Sequence, residues 1–302
     1  MSQMRKGPRL VIVGHIAYDE IRTPQGYATV IGGAAYYAAC AAALVSESVG
    51  IISAIGPDVA LNELDRLGVD TQGLQMREEG RTARFVVEYG ASDVRSLQAD
   101  LGTANEIDLG AIPPSYFAAQ WLHVATNVPQ QQRRLLSEFR RRSSARLSVD
   151  SIEAYVEAQP EDVRAAFGLA DLAFVNLDEL GLLGSVPSEE VIIKMGARGA
   201  EYRRNEMRLV ATALPRLPLD PTGAGDVLAG AFLALRANHV ALDDCLRRAV
   251  DLAGQATQGF GIEALLHANQ RGGARRIKGS THAAGGLDPV AAQGRPTRGA
   301  EE

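Results

Sequence analysis

The sequence predicts an α/β fold: a central, mostly parallel sheet with helices on both faces, carrying a small β lid. Three observations predict it. Short, continuous apolar runs recur along the chain with helix-length segments between them, the pattern of parallel strands buried on both faces by their crossover helices. A glycine-rich turn at residues 220–226, Asp-Pro-Thr-Gly-Ala-Gly-Asp, opens directly into the apolar, helix-spaced run Val227-Leu228-Ala229-Gly230-Ala231-Phe232. Residues 81–99 interrupt the strand–helix rhythm with mixed polar and apolar positions that suit an antiparallel hairpin.

Leu10-Val11-Ile12-Val13, ended by Gly14, reads as the first buried strand. Residues 32–44 are small and Ala-rich, a tightly packed helix opened by Gly32-Gly33. Residues 49–55 form a second strand closed by Gly56-Pro57-Asp58, and 59–67 the helix after it. Residues 82–89 and 94–97, on either side of Gly90, make the hairpin, as a lid or an interface ribbon. Residues 121–125, 147–149, 172–175 and 191–193 are further short buried strands, and 227–238 and 242–258 are two late helices. One domain is expected over residues 9–266, with lid elements at about 15–30 and 81–99. From about His267 the chain is rich in Gly, Ala, Arg and Pro with almost no large apolar residue, so 267–302 reads as a disordered tail.

The 302 residues are 46% hydrophobic and 22% charged, a globular balance, and the net charge of −5 comes without a basic block that would suit nucleic acid. Arg140-Arg141-Arg142 reads as a solvated helix face. Cys40 and Cys245 are isolated, as free thiols in a reducing compartment would be. The apolar run at 10–13 is too short for a signal-peptide core or a membrane span. A cytoplasmic protein with no membrane partner is expected.

The 220–226 turn carries the chemistry. A helix start leaves backbone N–H groups pointing one way at the positive end of the helix dipole, and a phosphate suits that place. Gly223 and Gly225 let the backbone approach closely. A carboxylate beside a phosphate is electrostatically costly, yet Asp226 makes sense as the group that takes a proton from a hydroxyl attacking that phosphate. The alternative is a helix N-terminus whose acidic residue complements the dipole.

Residues 220–226 resemble the C-terminal signature of the ribokinase-like (PfkB) carbohydrate kinases, which transfer the γ-phosphate of ATP to a hydroxyl of a sugar, nucleoside or related polyol. Three other segments fall in the family's order. Gly32-Gly33 looks like the N-terminal glycine pair, Asn176-Leu177-Asp178-Glu179 like the Asn-x-x-Glu element, and Lys194-Met195-Gly196-Ala197-Arg198-Gly199 like the nucleotide-binding segment after a late strand. The resemblance covers roughly residues 9–266. It implies Asp226 as catalytic base, with Gly223, Ala224 and Gly225 as the anion hole. It places Asn176, Lys194, Gly196 and Gly199 at ATP, and Glu179 at Mg2+ through water. Asp220 would sit at a monovalent-cation site, for which K+ is the candidate, or simply form the turn before Pro221. Asn176 and Glu179 also fit an N-cap and capping box. Lys194 stands where the family often has Thr, and Arg198 reads as solvated surface. Residues 249–258 and Gly259-Phe260-Gly261 resemble the helix and turn that border the adenine.

At the acceptor end, Asp19 matches the family's substrate-gripping carboxylate, and Gly32, Gly33 and Tyr37 belong to the same subsite. Ala17 stands where the resemblance implies the Asn common in ribose-binding members, and Tyr37 where many sugar and adenosine kinases carry Asn, which argues against ribose itself. Tyr37 either contacts the acceptor or packs. His15 and His123 either line the same cleft or serve the core. The expected protein is an ATP- and Mg2+-dependent kinase of a small sugar or cyclitol, favoured slightly over a nucleoside; a non-catalytic ligand-binding protein on the same fold is the rival class. A homodimer through the lid is the expected assembly.

Overall fold

Alternate residues of each short apolar run enter opposite cores. In β1 (Leu10–Val13), Leu10 and Ile12 pack into one hydrophobic cluster and Val11 and Val13 into the other. Side chains two apart share a face, so a strand covered on both sides is apolar at nearly every position. The computed structural model describes residues 7–90 and 95–270. After β1 come β2 (Ala17–Thr23), β3 (Gly26–Gly32), α1 (Ala34–Val45), β4 (Val49–Ile55), α2 (Asn62–Arg66), β5 (Asp70–Met76), β6 (Ala83–Tyr89) and β7 (Arg95–Asp100). Next are β8 (Trp121–Val124), α3 (Pro129–Arg142), β9 (Arg146–Asp150), α4 (Glu153–Ala158), α5 (Pro160–Phe167), β10 (Leu172–Asn176) and α6 (Leu177–Leu183). The chain closes with β11 (Glu190–Lys194), β12 (Ala200–Arg204), β13 (Met207–Ala211), α7 (Ala224–Ala237), α8 (Leu242–Ala256) and α9 (Glu263–Gln270).

Among the described residues the main sheet has nine strands in the order β13-β12-β11-β10-β9-β8-β1-β4-β5. Pairing is parallel from β11 to β5 and antiparallel through β12 and β13. Helices α1, α7 and α8 cover one face, and α3 to α6 the other. The Ala-rich composition of α1 has a direct cause. Every α1 residue after Ala34 is buried, and a Cβ on Gly230 of α7 would stand 2.0 Å from the Ala38 carbonyl oxygen. Small residues let these two helix backbones meet.

A second sheet, ordered β3-β2-β6-β7, lies apart from the main one. The expected hairpin at 81–99 is its β6–β7 half, although Val94 lies outside the described residues. The other half is a β2–β3 hairpin, joined to β6 by a parallel pairing, so the lid is larger than one hairpin. In β2 the buried positions are Ala17, Asp19 and Ile21. A carboxylate on the buried face masks the alternation that would have announced the strand.

Four other differences have local reasons. Helix α2 begins at Asn62 rather than at 59, because the Asp58 carboxylate accepts the Thr82 N–H at 2.9 Å and ties the preceding turn to the start of β6. The edge strand β5 and the β12–β13 hairpin escape the apolar-run signal. The hairpin carries charged pairs, such as Arg203 on Glu201 at 2.7 Å, along its half-exposed strands. The boundary expected at 267 is corrected by α9, which continues to Gln270; residues 271–302 lie outside the described residues. Arg140–Arg142 do form the exposed last turn of α3, with Arg141 and Arg142 on Glu138. Among the described residues no helix is long and apolar enough to cross a membrane.

Candidate active site

The C-terminal ends of β1, β9, β10 and β11 and the start of α7 face the second sheet across a cavity of about 320 Å³. Strand C-termini are where open α/β sheets hold ligands. Asp19, Gly33, Tyr37, Asn176, Glu179, Lys194, Gly196, Gly223, Gly225 and Asp226 meet there; most of the residues singled out in the sequence therefore converge on one place.

The phosphate-shaped end is the turn before α7. Gly223 is the N-cap in the left-handed region, φ 74°, and a Cβ there would stand 2.5 Å from the Tyr37 ring. Asp226 lies in the first helical turn with its carboxylate at the cavity. The Ala224 N–H turns back onto the Pro221 carbonyl at 3.2 Å, so of the three expected donors Gly223 and Gly225 are better placed for an anion. At Gly225 a Cβ would meet only the flexible Lys194 side chain, at 3.3 Å. Asp220 is buried outside the cavity lining, and its Oδ1 accepts the Thr222 N–H at 2.8 Å. The turn-forming reading of Asp220 is thus realised.

The acceptor end is built around Asp19. Its Oδ2 accepts the Tyr37 hydroxyl at 2.9 Å and the Gly33 N–H at 3.2 Å. Gly33 has φ 89° and leaves its N–H aimed at that oxygen. Gly32 serves differently from the expectation of substrate contact: a Cβ would stand 2.0 Å from Asp19 Oδ2, so it makes room for the carboxylate. Tyr37 is 2% exposed and lies between the anion loop and Asp19. Burial, then the charge of Asp19, pushes its phenol well above the usual range, so it stays a donor. His15 also reaches the cavity, with Nε2 3.0 Å from Asn127 Oδ1 and its ring 5.9 Å from that of Phe85. Burial lowers its pKa and keeps the imidazole neutral. His123 does not reach the cavity. It packs edge-on against Phe174 beneath the site, and burial with nearby Lys194 pushes it down to about 3.

Asn176 and Glu179 form the expected cap. Asn176 Oδ1 accepts the Glu179 N–H at 2.8 Å, while Glu179 Oε2 accepts the Asn176 N–H at 2.9 Å, a full capping box. Both also line the cavity. Burial pushes the Glu179 carboxyl up to about 7, against the pull of Lys194 and with Asp150 adding to it. A carboxyl raised in the folded state binds more protons folded than unfolded, so its contribution to stability falls as pH rises from its ordinary 4.5 to about 7. Glu179→Gln keeps an acceptor for the cap and does not titrate. Its melting temperature relative to wild type is expected to improve across that window and level off above it; a constant difference in thermal melts would refute the buried strain.

Two segments that the resemblance puts at the nucleotide are not part of the cavity lining. Gly199, expected at ATP, has φ 101° and would place a Cβ 1.9 Å from the Ala211 carbonyl oxygen; it serves the β11–β12 turn against β13, away from the cavity. The turn at 259–261 packs on the second sheet, Phe260 against Gly26 and Gly261 against Val30. Arg198 is exposed, as expected. Sequence reasoning missed Asp150, the last residue of β9, and the lid residues Phe85 and Tyr89. Asp150 binds Lys194 Nζ at 2.6 and 2.9 Å. Tyr89 Oη is 2.9 Å from Thr222 Oγ1, joining lid to anion loop. A carboxylate ending a parallel strand was the available signal for Asp150.

A family profile described as pfkB family carbohydrate kinase matches residues 8–268. The chain is 27% identical over 274 residues to a cytidine kinase of Thermococcus kodakarensis, covering 83% of this chain and 97% of that one. Ribokinase from Cryptococcus neoformans var. grubii serotype A, in complex with ADP, superposes with a TM-score of 0.73 at 21% identity, over 88% of this chain and 99% of that chain. A Burkholderia thailandensis nucleoside kinase in complex with inosine gives 0.74 at 19% identity, over 83% and 92%. The architecture is the ribokinase-like α/β fold.

Proposed function

The chain belongs to the pfkB family of carbohydrate kinases and is a phosphotransferase with a hydroxyl acceptor, and from that premise we propose that it phosphorylates a nucleoside at the expense of ATP. The observation that carries the choice of acceptor is the lid wall. Phe85, Val87, Leu97, Ala99 and Leu101 present an apolar surface to the cavity beside Asp19, whose cross-strand partner is Phe85. A small polyol carries hydroxyls on every side, and burying one without a partner is costly. A nucleoside divides in the same way as the cavity: a flat base for the apolar wall and sugar hydroxyls for a carboxylate that accepts two at once. The cytidine kinase relative supports this choice. It reverses the slight preference for a sugar or cyclitol drawn from the motifs.

In the proposed reaction Asp19, held by Tyr37 and Gly33, orients the acceptor. The acceptor oxygen bonds to the γ-phosphorus as the bond to the β–γ bridging oxygen breaks, and its proton passes to Asp226. The N–H groups of Gly223 and Gly225 offset charge that grows at the transferring group. The family implies Mg2+. Both Glu179 oxygens are engaged by Asn176, and no group of three His, Cys, Asp or Glu suited to a metal occurs among the described residues. That donor set fits an ion carried largely on the nucleotide's phosphates, with Glu179 reaching it through water; when bound it would neutralise phosphate charge.

The test is ATP consumption across cytidine, uridine, adenosine, inosine, ribose, fructose and myo-inositol. The best nucleoside is expected to exceed the best free sugar in kcat/KM by at least about tenfold, a difference of about 1.4 kcal/mol in transition-state binding. Turnover of a free sugar or cyclitol with no nucleoside turned over would reject the nucleoside and leave the kinase.

A further inference from the structure

Lys194 ends β11, yet its ammonium is held by a strand two places away. Both Asp150 oxygens lie on Nζ, at 2.6 and 2.9 Å, and β10 separates β9 from β11. The same Nζ would be 3.4 Å from a Cβ on Gly225, so the ammonium rests against the first turn of α7, beside the anion loop. Asp150 is 1% exposed and has no part in the proton transfer described above. Its buried carboxylate also accepts the Ser151 N–H, at 2.9 Å on Oδ1, and Lys194 is the cation it meets.

The charge balance of the cavity gives the contact a purpose. Asp19, Asp150, Glu179 and Asp226 are carboxylates, and Lys194 is the one Lys or Arg among the described lining residues. A triphosphate entering so acidic a site needs fixed positive charge where the phosphoryl group moves. Lysine places a point charge on a flexible four-carbon stem. Gripped by two oxygens at one end and packed against α7, the stem has one position. We propose that Asp150 is a positioning residue, which holds the Lys194 ammonium at the α7 N-terminus so that it meets the γ-phosphoryl group of ATP.

The groups facing Lys194 are Asp150 on β9, Glu179 on α6, Asp226 on α7 and His123 on β8. Burial alone would favour loss of the lysine proton; Asp150, then Glu179 and Asp226, outweigh it and keep the ammonium charged. Removing the Asp150 charge therefore exposes the lysine to the effect of burial.

The proposal rests on the phosphotransfer reading of the site, and binding measurements separate the two. Asp150→Asn is examined by thermal melt for folding and by calorimetry with Mg2+ and either ADP or the β,γ-imido analogue of ATP. Analogue affinity is expected to fall about tenfold, roughly 1.4 kcal/mol, with ADP affinity nearly unchanged. In turnover assays kcat falls while the acceptor KM holds, and the alkaline limb of the kcat profile moves to lower pH. Lys194→Met should show the same split between analogue and ADP, without that limb. Asp150→Glu keeps the charge but moves it; it should also weaken the analogue selectively, and it serves if the amide variant does not fold. Wild-type affinities for both nucleotides and an unmoved pH limb in the Asp150 variants would overturn the proposal and leave a purely structural ion pair. A wild-type protein that binds neither nucleotide would instead overturn the phosphotransfer reading itself.

Discussion

Replacing Asp226 by Asn is expected to lower kcat by about 10²–10⁴-fold, the range that a positioned general base contributes. Asn keeps the size of the side chain and its place in the first turn of α7, but an amide does not accept the acceptor's proton. Folding should be little affected, because a single carboxylate near a helix N-terminus contributes only about 0.3–1 kcal/mol. The acceptor KM should change little as well, since in the proposed reaction the acceptor is held by Asp19 on another element, β2. Steady-state kinetics with a thermal melt check the result. Wild-type turnover by the Asn variant would remove Asp226 from the chemistry and leave it as a dipole partner.

Gly223→Ala is expected to damage stability and both halves of the site at once. The left-handed backbone at Gly223 costs a non-glycine residue about 1–2 kcal/mol. The new methyl would lie 2.5 Å from Tyr37 ring carbons, and overpacking of that kind adds about 1–3 kcal/mol. In a domain of this size each kcal/mol lowers the melting temperature by roughly 2–4 °C. The distinctive expectation is kinetic. Relief of the clash requires the loop or Tyr37 to move, and Tyr37 holds Asp19, so kcat should fall and acceptor KM should rise together. A loss of kcat with unchanged acceptor KM would show that Tyr37 does not couple the two subsites.

The geometry of the turn before α7 was legible because it is local. A helix start, two glycines and a carboxylate fall within residues 220–226, and their geometry follows from backbone conformation alone. The inner parallel strands were legible because a strand buried on both faces is a nearly continuous apolar run, with rare polar positions such as His123 and Ser148 paired to each other. Asp150 was not legible, because its meaning depends on Lys194, which is distant in the chain and two strands away in the sheet. The β2–β3 hairpin was hidden for a related reason: Asp19 occupies a buried position, and the Tyr37 hydroxyl and Gly33 N–H that help make that burial tolerable come from elsewhere.

Tyr36-Tyr37 shows where the division falls. The sequence by itself determined the inner strands of the sheet, the helix after the glycine turn and the family signature on which the proposed role of Asp226 as base rests, since each depends on neighbours within a few residues. Only the tertiary structure decided that Tyr37 packs beneath Gly223 and supports Asp19, that Gly199 turns away from the cavity, and that an apolar lid wall faces the acceptor end. Those outcomes depend on non-local packing, where a side chain's role is set by what the fold brings against it.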